Sequence, residues 1–268
     1  MMRLIIQELI NKIMMIAKTN IFDPIHLEEM DKVRLMNRTD TKYWFHIKHL
    51  EALLNDVHHY YYMLNMNGEV ALPYSTIYYD TEENKMFAAH HSGKLNRYKI
   101  RRRSYVLNGV SFLEVKFKNN KGRTIKERIP SVFDENNFTE KENLFLDELT
   151  PFSVSELKPS LTNSFSRITL VNKNFRERCT IDLNLQFKID SQNIVLDDLV
   201  IVEIKTEGSS STSPLARALR DHRIKTSGFS KYCIGRAVTD PSLKRNAFKH
   251  KIRMIEKTIH THRSLYNI

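Results

Sequence analysis

The sequence predicts an α+β protein whose strands close into an antiparallel barrel or tunnel, with cations lining the lumen and helices packed on the outside. Residues 113–118, Leu-Glu-Val-Lys-Phe-Lys, alternate so that the apolar side chains share one face and the charged ones the other. The run 97–103 places four cations on one face by the same parity. Hairpin turn signals at 108–109 and 119–122 join these strands. A closed barrel satisfies both faces and removes exposed edges.

The remaining elements are predicted from residue composition, apolar periodicity and capping residues along the chain. β-Branched and aromatic residues predict strands, whereas apolar periodicity and capping residues predict helices. The predicted strands are 38–45, 72–79, 95–105, 111–118, 124–129, 164–171, 175–182 and 199–206. The predicted helices are Met1–Ala17, 25–33, 47–56, a short helix capped at Asp80-Thr81 and running through Ala89, a helical or loop stretch 134–148, 215–224 after Pro214, and a basic helix 243–258.

Composition narrows the class of protein and of partner. The 268 residues carry a formal net charge of +11, which favours acidic partners such as phosphorylated molecules, nucleic acid or anionic membranes. Only Cys179 and Cys233 are cysteines, which indicates a reducing compartment and no disulfide framework. No run approaches the roughly 20 apolar residues of a membrane span. We therefore expect a cytoplasmic protein.

We expect one main domain. Residues 1–37 form an N-terminal helical segment, residues 38–240 the strand-rich domain, and residues 241–268 a basic C-terminal helix packed on that domain.

The cations outnumber the carboxylates on the predicted inward faces. Three carboxylates, Glu114, Asp182 and Glu203, cannot neutralise ten cations, and desolvating the excess would cost several kcal/mol per unpaired ion. The lumen is therefore wet, a multiply charged anion completes it, or the parity assignments are wrong, and we favour the first two together. The ten are Lys42, Lys99, Arg101, Arg103, Lys116, Lys118, Lys126, Arg128, Arg176 and Arg178.

Two strands repeat a Glu-x-Lys spacing. Glu114-Val115-Lys116 and Glu203-Ile204-Lys205 each put one carboxylate beside one ammonium on the same face. Such carboxylates suit Mg²⁺ or Mn²⁺, which bind through one or two carboxylates plus phosphate oxygens. The alternative is an internal ion pair, which is common on sheets.

Eight short motifs follow one another between about Arg38 and Gly235. They are Thr39-Asp40-Thr41-Lys42-Tyr43-Trp44, Ser75-Thr76-Ile77-Tyr78-Tyr79-Asp80, Arg101-Arg102-Arg103, Phe112-Leu113-Glu114-Val115-Lys116, Ile125-Lys126-Glu127-Arg128, Arg178-Cys179-Thr180-Ile181-Asp182, Val202-Glu203-Ile204-Lys205 and Phe229-Ser230-Lys231-Tyr232. In this order they resemble the catalytic domain of the vacuolar transporter chaperone (VTC) polyphosphate polymerases, a member of the triphosphate tunnel metalloenzymes.

The resemblance implies a tunnel that binds ATP and inorganic polyphosphate or pyrophosphate and, with Mn²⁺ or Mg²⁺, transfers the terminal phosphoryl group of ATP to a growing chain. It implies Glu203, and less certainly Glu114, as metal ligands, and Ser230 as a phosphate contact. Lys99, Lys118 and Arg128 extend the basic faces and are further candidates for substrate binding; Lys99 and Lys118 are equally well read as solvated rim charges. The implied phosphate-binding cations are Lys42, Arg101, Arg103, Lys116, Lys126, Arg167, Arg178 and Lys231.

Two other functions stay open at this point: a triphosphatase or short-chain polyphosphatase in the same tunnel, and a non-catalytic polyphosphate-binding protein. Nucleic acid is not expected as a partner, because Tyr98, Phe117 and Tyr232 alternate away from the basic face. The chain departs from the eukaryotic enzymes at Phe165, where they have tyrosine. It also shows neither their transmembrane domain nor their inositol-phosphate-sensing domain, so we expect a stand-alone version.

Overall fold

The computed structural model describes residues 21–33, 38–208, 210–260 and 264–266. The predicted helix Met1–Ala17 lies outside them. The strands are β1 Asp23–Ile25, β2 Thr39–His46, β3 Tyr61–Leu64, β4 Leu72–Asp80, β5 Arg97–Tyr105, β6 Val110–Lys118, β7 Thr124–Ser131, β8 Lys158–Asn172, β9 Glu177–Ile189, β10 Gln192–Leu196 and β11 Leu199–Thr206. The α-helices are α1 Leu50–Val57, α2 Lys85–His91, α3 Glu140–Leu149, α4 Pro214–Asp221, α5 Lys231–Thr239 and α6 Lys249–Thr258.

The chain divides into two compact units. The first comprises Met1–Leu72, Arg167–Leu183 and Asp198–Phe229, and the second comprises Pro73–Ser166, Asn184–Asp197 and Ser230–Ile268. Strands β8 and β9 are long enough to contribute a segment to each unit.

In the first unit, β11 is the central strand, paired antiparallel with β2 and with β9. The period of two sends Val200, Val202 and Ile204 into an apolar core, where α1 and α4 contribute Leu53 and Leu219. The alternate side chains of the same strands, Glu203 and Lys205 among them, lie on the opposite face. This unit therefore has one apolar and one charged sheet face.

In the second unit, β5 to β7 form the antiparallel meander that the turn signals predict, and β4 pairs antiparallel with β5. Ile100, Leu113 and Val115 are buried with Leu146 of α3 in a separate core. The intervening residues of β5 and β6 place Arg101 opposite Glu114. The predicted parity of these strands is confirmed.

Helix starts follow capping chemistry in two places. Thr139 and Glu142 form a capping box at α3. Ser213 accepts a hydrogen bond from the Ala216 N–H, and Pro214 occupies the first turn of α4. The helix predicted from Asp80-Thr81 begins later, at Lys85, because the buried Asp80 carboxylate accepts hydrogen bonds from the Met86 and Phe87 N–H groups, each at 2.9 Å.

The α+β class is confirmed, and most of the sheet is antiparallel; β1 and β3 pair in parallel. The hydrogen-bonded strand order is β2-β11-β9-β8-β4-β5-β6-β7, and the described residues contain no pairing that joins the two end strands. The predicted closure of the barrel is therefore not seen. The predicted elements also omit β1, β3, β10 and α5. No helix in the described part of the chain is long and apolar enough to cross a membrane.

Candidate functional site

The first charged group, here called the Glu203 cluster, consists of Lys42, Glu203 and Lys205. Glu203 lies directly opposite Lys42 across β11 and β2. Its Oε1 atom is 3.3 Å from the Lys42 Nζ, and its Oε2 accepts a hydrogen bond from the Lys205 Nζ. Burial would raise the pKa of Glu203, but Lys205 and Lys42 hold it well below its usual range. The carboxylate therefore stays ionised between two ammonium groups.

A bidentate ion pair lies on the neighbouring strands of the same unit. The Arg167 Nε and Nη2 atoms donate to the two Asp182 oxygens at 2.6 and 2.8 Å. This parallel geometry is the strong form of the arginine–carboxylate contact. Arg178 is half-buried on β9, directly opposite Lys205. Arg178 thus carries positive charge on the strand next to that of Glu203, and Arg167 lies one strand farther along the sheet.

The second charged group, here called the Glu114 cluster, consists of Arg101, Glu114, Lys116 and Lys126 in the second unit. Glu114 is fully buried. Arg101 Nε donates to its Oε2 at 2.6 Å, and Lys126 Nζ lies 2.5 Å from its Oε1. Burial would raise the pKa of Glu114, but Arg101, Arg103 and Lys126 hold it below its usual range. The Glu114 carboxylate thus forms internal ion pairs through both of its oxygens, with Arg101 and with Lys126.

Three lysines stand in one row of the meander. Lys116 lies directly opposite Lys99 on one side and Lys126 on the other. Like charges placed opposite each other in a sheet repel. Repulsion from Arg101, together with burial, lowers the pKa of Lys116 well below its usual value. Burial lowers the pKa of Lys126 to about 8, although Glu114 acts in the opposite direction. The row therefore has a positive potential that Glu114 does not neutralise.

Arg103 and Lys231 share an aromatic partner. The Phe165 ring centroid is 5.9 Å from the Arg103 Cζ and 4.4 Å from the Lys231 Nζ. Phe165 stacks on Tyr74 with centroids 5.3 Å apart. The phenylalanine at this position thus offers a cation–π face to two predicted phosphate-binding residues.

Ser230 contacts one predicted site residue, Lys99, and immediately precedes another, Lys231. Its Oγ accepts hydrogen bonds from the Lys99 Nζ at 3.0 Å and from the Cys233 N–H at 3.3 Å. Ser230 therefore caps α5 and fixes Lys231 as the first residue of that helix. Lys118 and Arg128 lie farther out: Lys118 is half-buried opposite Arg97, and Arg128 is exposed over the Phe112 ring, 4.4 Å from its centroid.

The VTC domain family matches residues 37–240, about three quarters of the chain. The chain belongs to the VTC domain family. This confirms the family to which the sequence motifs pointed.

Several solved structures are similar to this chain. One is a candidate adenylate cyclase from Bacillus halodurans, which is 13% identical to this chain with a TM-score of 0.48. The match covers 73% of this chain and 96% of that chain. Another is a candidate adenylyl cyclase from Hippeastrum with a dominant triphosphatase activity, with 13% identity, a TM-score of 0.47 and coverage of 77% and 98%. A conserved hypothetical protein from Pyrococcus furiosus has 11% identity, a TM-score of 0.40 and coverage of 73% and 99%. No curated protein matches this VTC domain significantly.

The donor set of this VTC domain suits a hard cation that arrives with phosphate. Among the described residues there is no group of three or more His, Cys, Asp or Glu side chains placed to hold a metal. Glu203 is partly exposed, and its partners are two lysine ammonium groups. Mn²⁺ or Mg²⁺ can be held by one carboxylate when phosphate oxygens supply the other ligands. Glu203 fits that role because it is partly exposed, whereas Glu114 is fully buried and fits it less well; both metal assignments stay predictions.

Sequence reasoning left two residues of this VTC domain out of the site. Lys205 is buried against Glu203, and its spacing from Glu203 already placed it on the charged face. Trp44 is flanked by Tyr43 and Phe45, whose side chains lie in the core. Trp44 is half-buried and shares the parity of Lys42.

Proposed function

We propose that this VTC domain is a polyphosphate polymerase that transfers the terminal phosphoryl group of ATP to a growing inorganic polyphosphate chain. In this proposal the strands enclose a tunnel, and the cations of the charged faces hold the phosphates. The observation that carries the proposal is the row Lys99, Lys116 and Lys126, in which three lysines occupy directly opposed positions on neighbouring strands. Such a row becomes favourable when a polyanion lies across it.

Each residue type suits one part of phosphoryl transfer. The reaction asks a protein mainly to position the phosphates and to stabilise charge on their oxygens. Arg101, Arg103, Arg167 and Arg178 would grip phosphate oxygens with planar guanidinium groups, while Lys42, Lys116, Lys126 and Lys231 would provide mobile point charges. Glu114 would hold Arg101 and Lys126 in place.

The metal would be held at Glu203. Mn²⁺ or Mg²⁺ bound there supplies neutralisation of the negative charge on phosphate oxygens. Lys42 and Lys205, now paired with Glu203, would then be released to contact phosphate. The protein's own contribution is to keep Glu203 ionised and to set the cations around it.

The test is incubation of the purified protein with ATP and Mn²⁺, with polyphosphate resolved on a stained gel and free phosphate and ADP measured in parallel. A ladder of long chains with ADP is expected. Lys116→Ala should abolish the ladder, whereas Lys121→Ala, in the exposed turn between β6 and β7, should keep it. Free phosphate without polymer would replace the proposal with a hydrolase, and bound ATP without either product would replace it with a binding protein.

A further inference from the structure

The first unit contains a second group of cations, which shares no residue with the Glu203 cluster. An open cavity of about 760 Å³ lies at the end of α4 and along the segment that follows it. Three exposed cations line it: Arg220, Arg223 and Lys225. Tyr43 and Ile224, which are both buried, also line the cavity.

The backbone turn that ends α4 brings these cations together. The Arg223 N–H donates to the Arg220 carbonyl oxygen and the Ile224 N–H to the Leu219 carbonyl oxygen, each at 2.8 Å. Arg223 has a φ of 59°, in the left-handed region where glycine usually ends a helix. Ile224 is buried in the core next to this turn. The positions of Arg220, Arg223 and Lys225 are therefore set by hydrogen bonds and packing.

The cavity is positive with no balancing acid. None of its lining residues is acidic. Within the described ranges, no carboxylate lies at ion-pair distance from Arg220, Arg223 or Lys225. The negative end of the α4 dipole favours cations in its last turn, which accounts for Arg220. It does not account for Lys225, which lies beyond the helix. Three cations around one cavity are the arrangement that binds an anion carrying several charges.

We propose that this cavity is a binding site for an anion with two or more linked phosphates. A single phosphate would leave most of the cavity empty, whereas linked phosphates reach several cations at once. The hydroxyl groups of Ser211 and Thr226 at the cavity add further hydrogen-bonding groups for phosphate oxygens. Inorganic triphosphate and a nucleoside triphosphate share this chemistry, and the experiment separates them.

The cavity is distinct from the Glu203 cluster but shares a strand with it. Lys42 and Tyr43 are neighbours in β2, so their side chains point to opposite faces. Lys42 contacts Glu203, whereas Tyr43 lines the cavity. The segment after the cavity pairs with the same strand: Thr226 bridges to Tyr43, and the Ser227 N–H donates to the Lys42 carbonyl oxygen at 2.8 Å. The proposal does not depend on the polymerase activity.

The test compares two triple variants of the full chain by titration calorimetry at about 0.15 M salt, where non-specific attraction is screened. The pocket variant is Arg220→Ser, Arg223→Gly, Lys225→Ser. The control variant, Lys48→Ser, Lys173→Ser, Arg217→Ser, removes the same charge from exposed positions of the same unit that do not line the cavity. The ligands are inorganic triphosphate, ATP and, for comparison, orthophosphate.

Inorganic triphosphate should occupy one more site per chain in the wild type and the control variant than in the pocket variant. If the pocket variant keeps that site, its affinity for triphosphate there should be lower by on the order of tenfold. Equal stoichiometry and affinity in the two variants would overturn the proposal. Binding of ATP but not inorganic triphosphate at the cavity would assign it to nucleotides, and the reverse would assign it to phosphate chains.

A second measurement works even where the pocket variant is poorly folded. In the wild type, the rate at which an amine-reactive reagent labels Lys225 should fall several-fold when inorganic triphosphate is added, as measured by mass spectrometry. Lys48 serves as the internal reference. An unchanged Lys225 rate under saturating triphosphate would contradict the proposal.

Discussion

Arg101 and Arg102 are adjacent in β5, and their side chains lie on opposite faces of the sheet. Arg101 Nε donates to Glu114 at 2.6 Å on the charged face. Arg102 is fully buried on the other face, where it donates to the Tyr79 hydroxyl at 2.8 Å and to Glu142 Oε2 at 3.1 Å. The period of two in a strand separates these neighbours. Arg101 therefore lies on the charged face with Glu114, whereas Arg102 is buried on the other face as part of the fold.

Arg102→Ala should unfold the protein more readily than Arg101→Ala, because Glu114 keeps the Lys126 ammonium group when Arg101 is removed. Removing Arg102 leaves the nearly buried Glu142 carboxylate without its cation, and breaking a buried pair in this way costs about 3–5 kcal/mol. The free energy of unfolding, measured by denaturant titration, checks this. An Arg102→Ala variant as stable as the wild type would show that Arg102 is dispensable.

Arg101→Ala should weaken binding of inorganic triphosphate by about 1.5–3 kcal/mol, as expected for the loss of a charge-assisted hydrogen bond. Calorimetric titration gives the affinity. The matched control is Arg123→Ala, at an exposed position in the turn that leads to β7, which should bind as the wild type does. An unchanged affinity in the Arg101 variant would remove it from the proposed site.

Glu203→Gln should separate metal-dependent turnover from phosphate binding. The substitution removes an anion from between Lys42 and Lys205, so triphosphate affinity without metal should hold or increase. Turnover with Mn²⁺ should fall on the order of a hundredfold or more, because charge stabilisation at the transferred group is lost. Glu127→Gln, an exposed carboxamide variant on β7, is the control for charge. Full turnover by the Glu203 variant would exclude its metal role.

Triphosphate affinity should decline as the pH rises through about 8, because the pKa of Lys126 is lowered to about 8. Only the protonated amine attracts the anion. The unliganded protein should show the opposite trend: the unfolded lysine keeps its proton up to its ordinary pKa of 10.5, so the lowered pKa makes stability rise between about pH 8 and 10.5.

Lys126→Arg provides the control for this pH dependence, because a guanidinium stays protonated throughout that range. Its affinity for inorganic triphosphate should stay level across pH 8. If the variant reproduces the wild-type decline, another group controls the profile.

Trp44 should report on the Glu203 cluster. It is the single tryptophan of the chain, shares the face of Lys42, and lies opposite Ile201 of β11. Its Nε1 is buried without a hydrogen-bond partner among the described residues. Inorganic triphosphate should therefore change its fluorescence emission in the wild type and in the pocket variant, but much less in Lys42→Ala. No change in the wild type would place the bound anion away from this strand.

Much of the charged face could be predicted because side-chain alternation is a local property of a strand. Leu113 and Val115 are buried in the core, and Glu114 and Lys116 lie on the opposite face of the same strand, as the sequence indicates. The same rule placed Lys205 beside Glu203. It could not place Trp44, because an aromatic residue is compatible with either face, and only the packing of Tyr43 and Phe45 into the core decides the matter.

The sequence by itself determined the family, the basic strands and the side chains that share a face, since each depends on residues close together in the chain. Only the tertiary structure decided the strand register, because that register depends on distant segments. The register aligns Lys99, Lys116 and Lys126 in one row. The fold also pairs Glu114 with Arg101 and Lys126 and buries Arg102 against Glu142. It also brings Tyr43 to the cations that follow α4. These contacts fix where charge is neutralised and where it is left for a ligand.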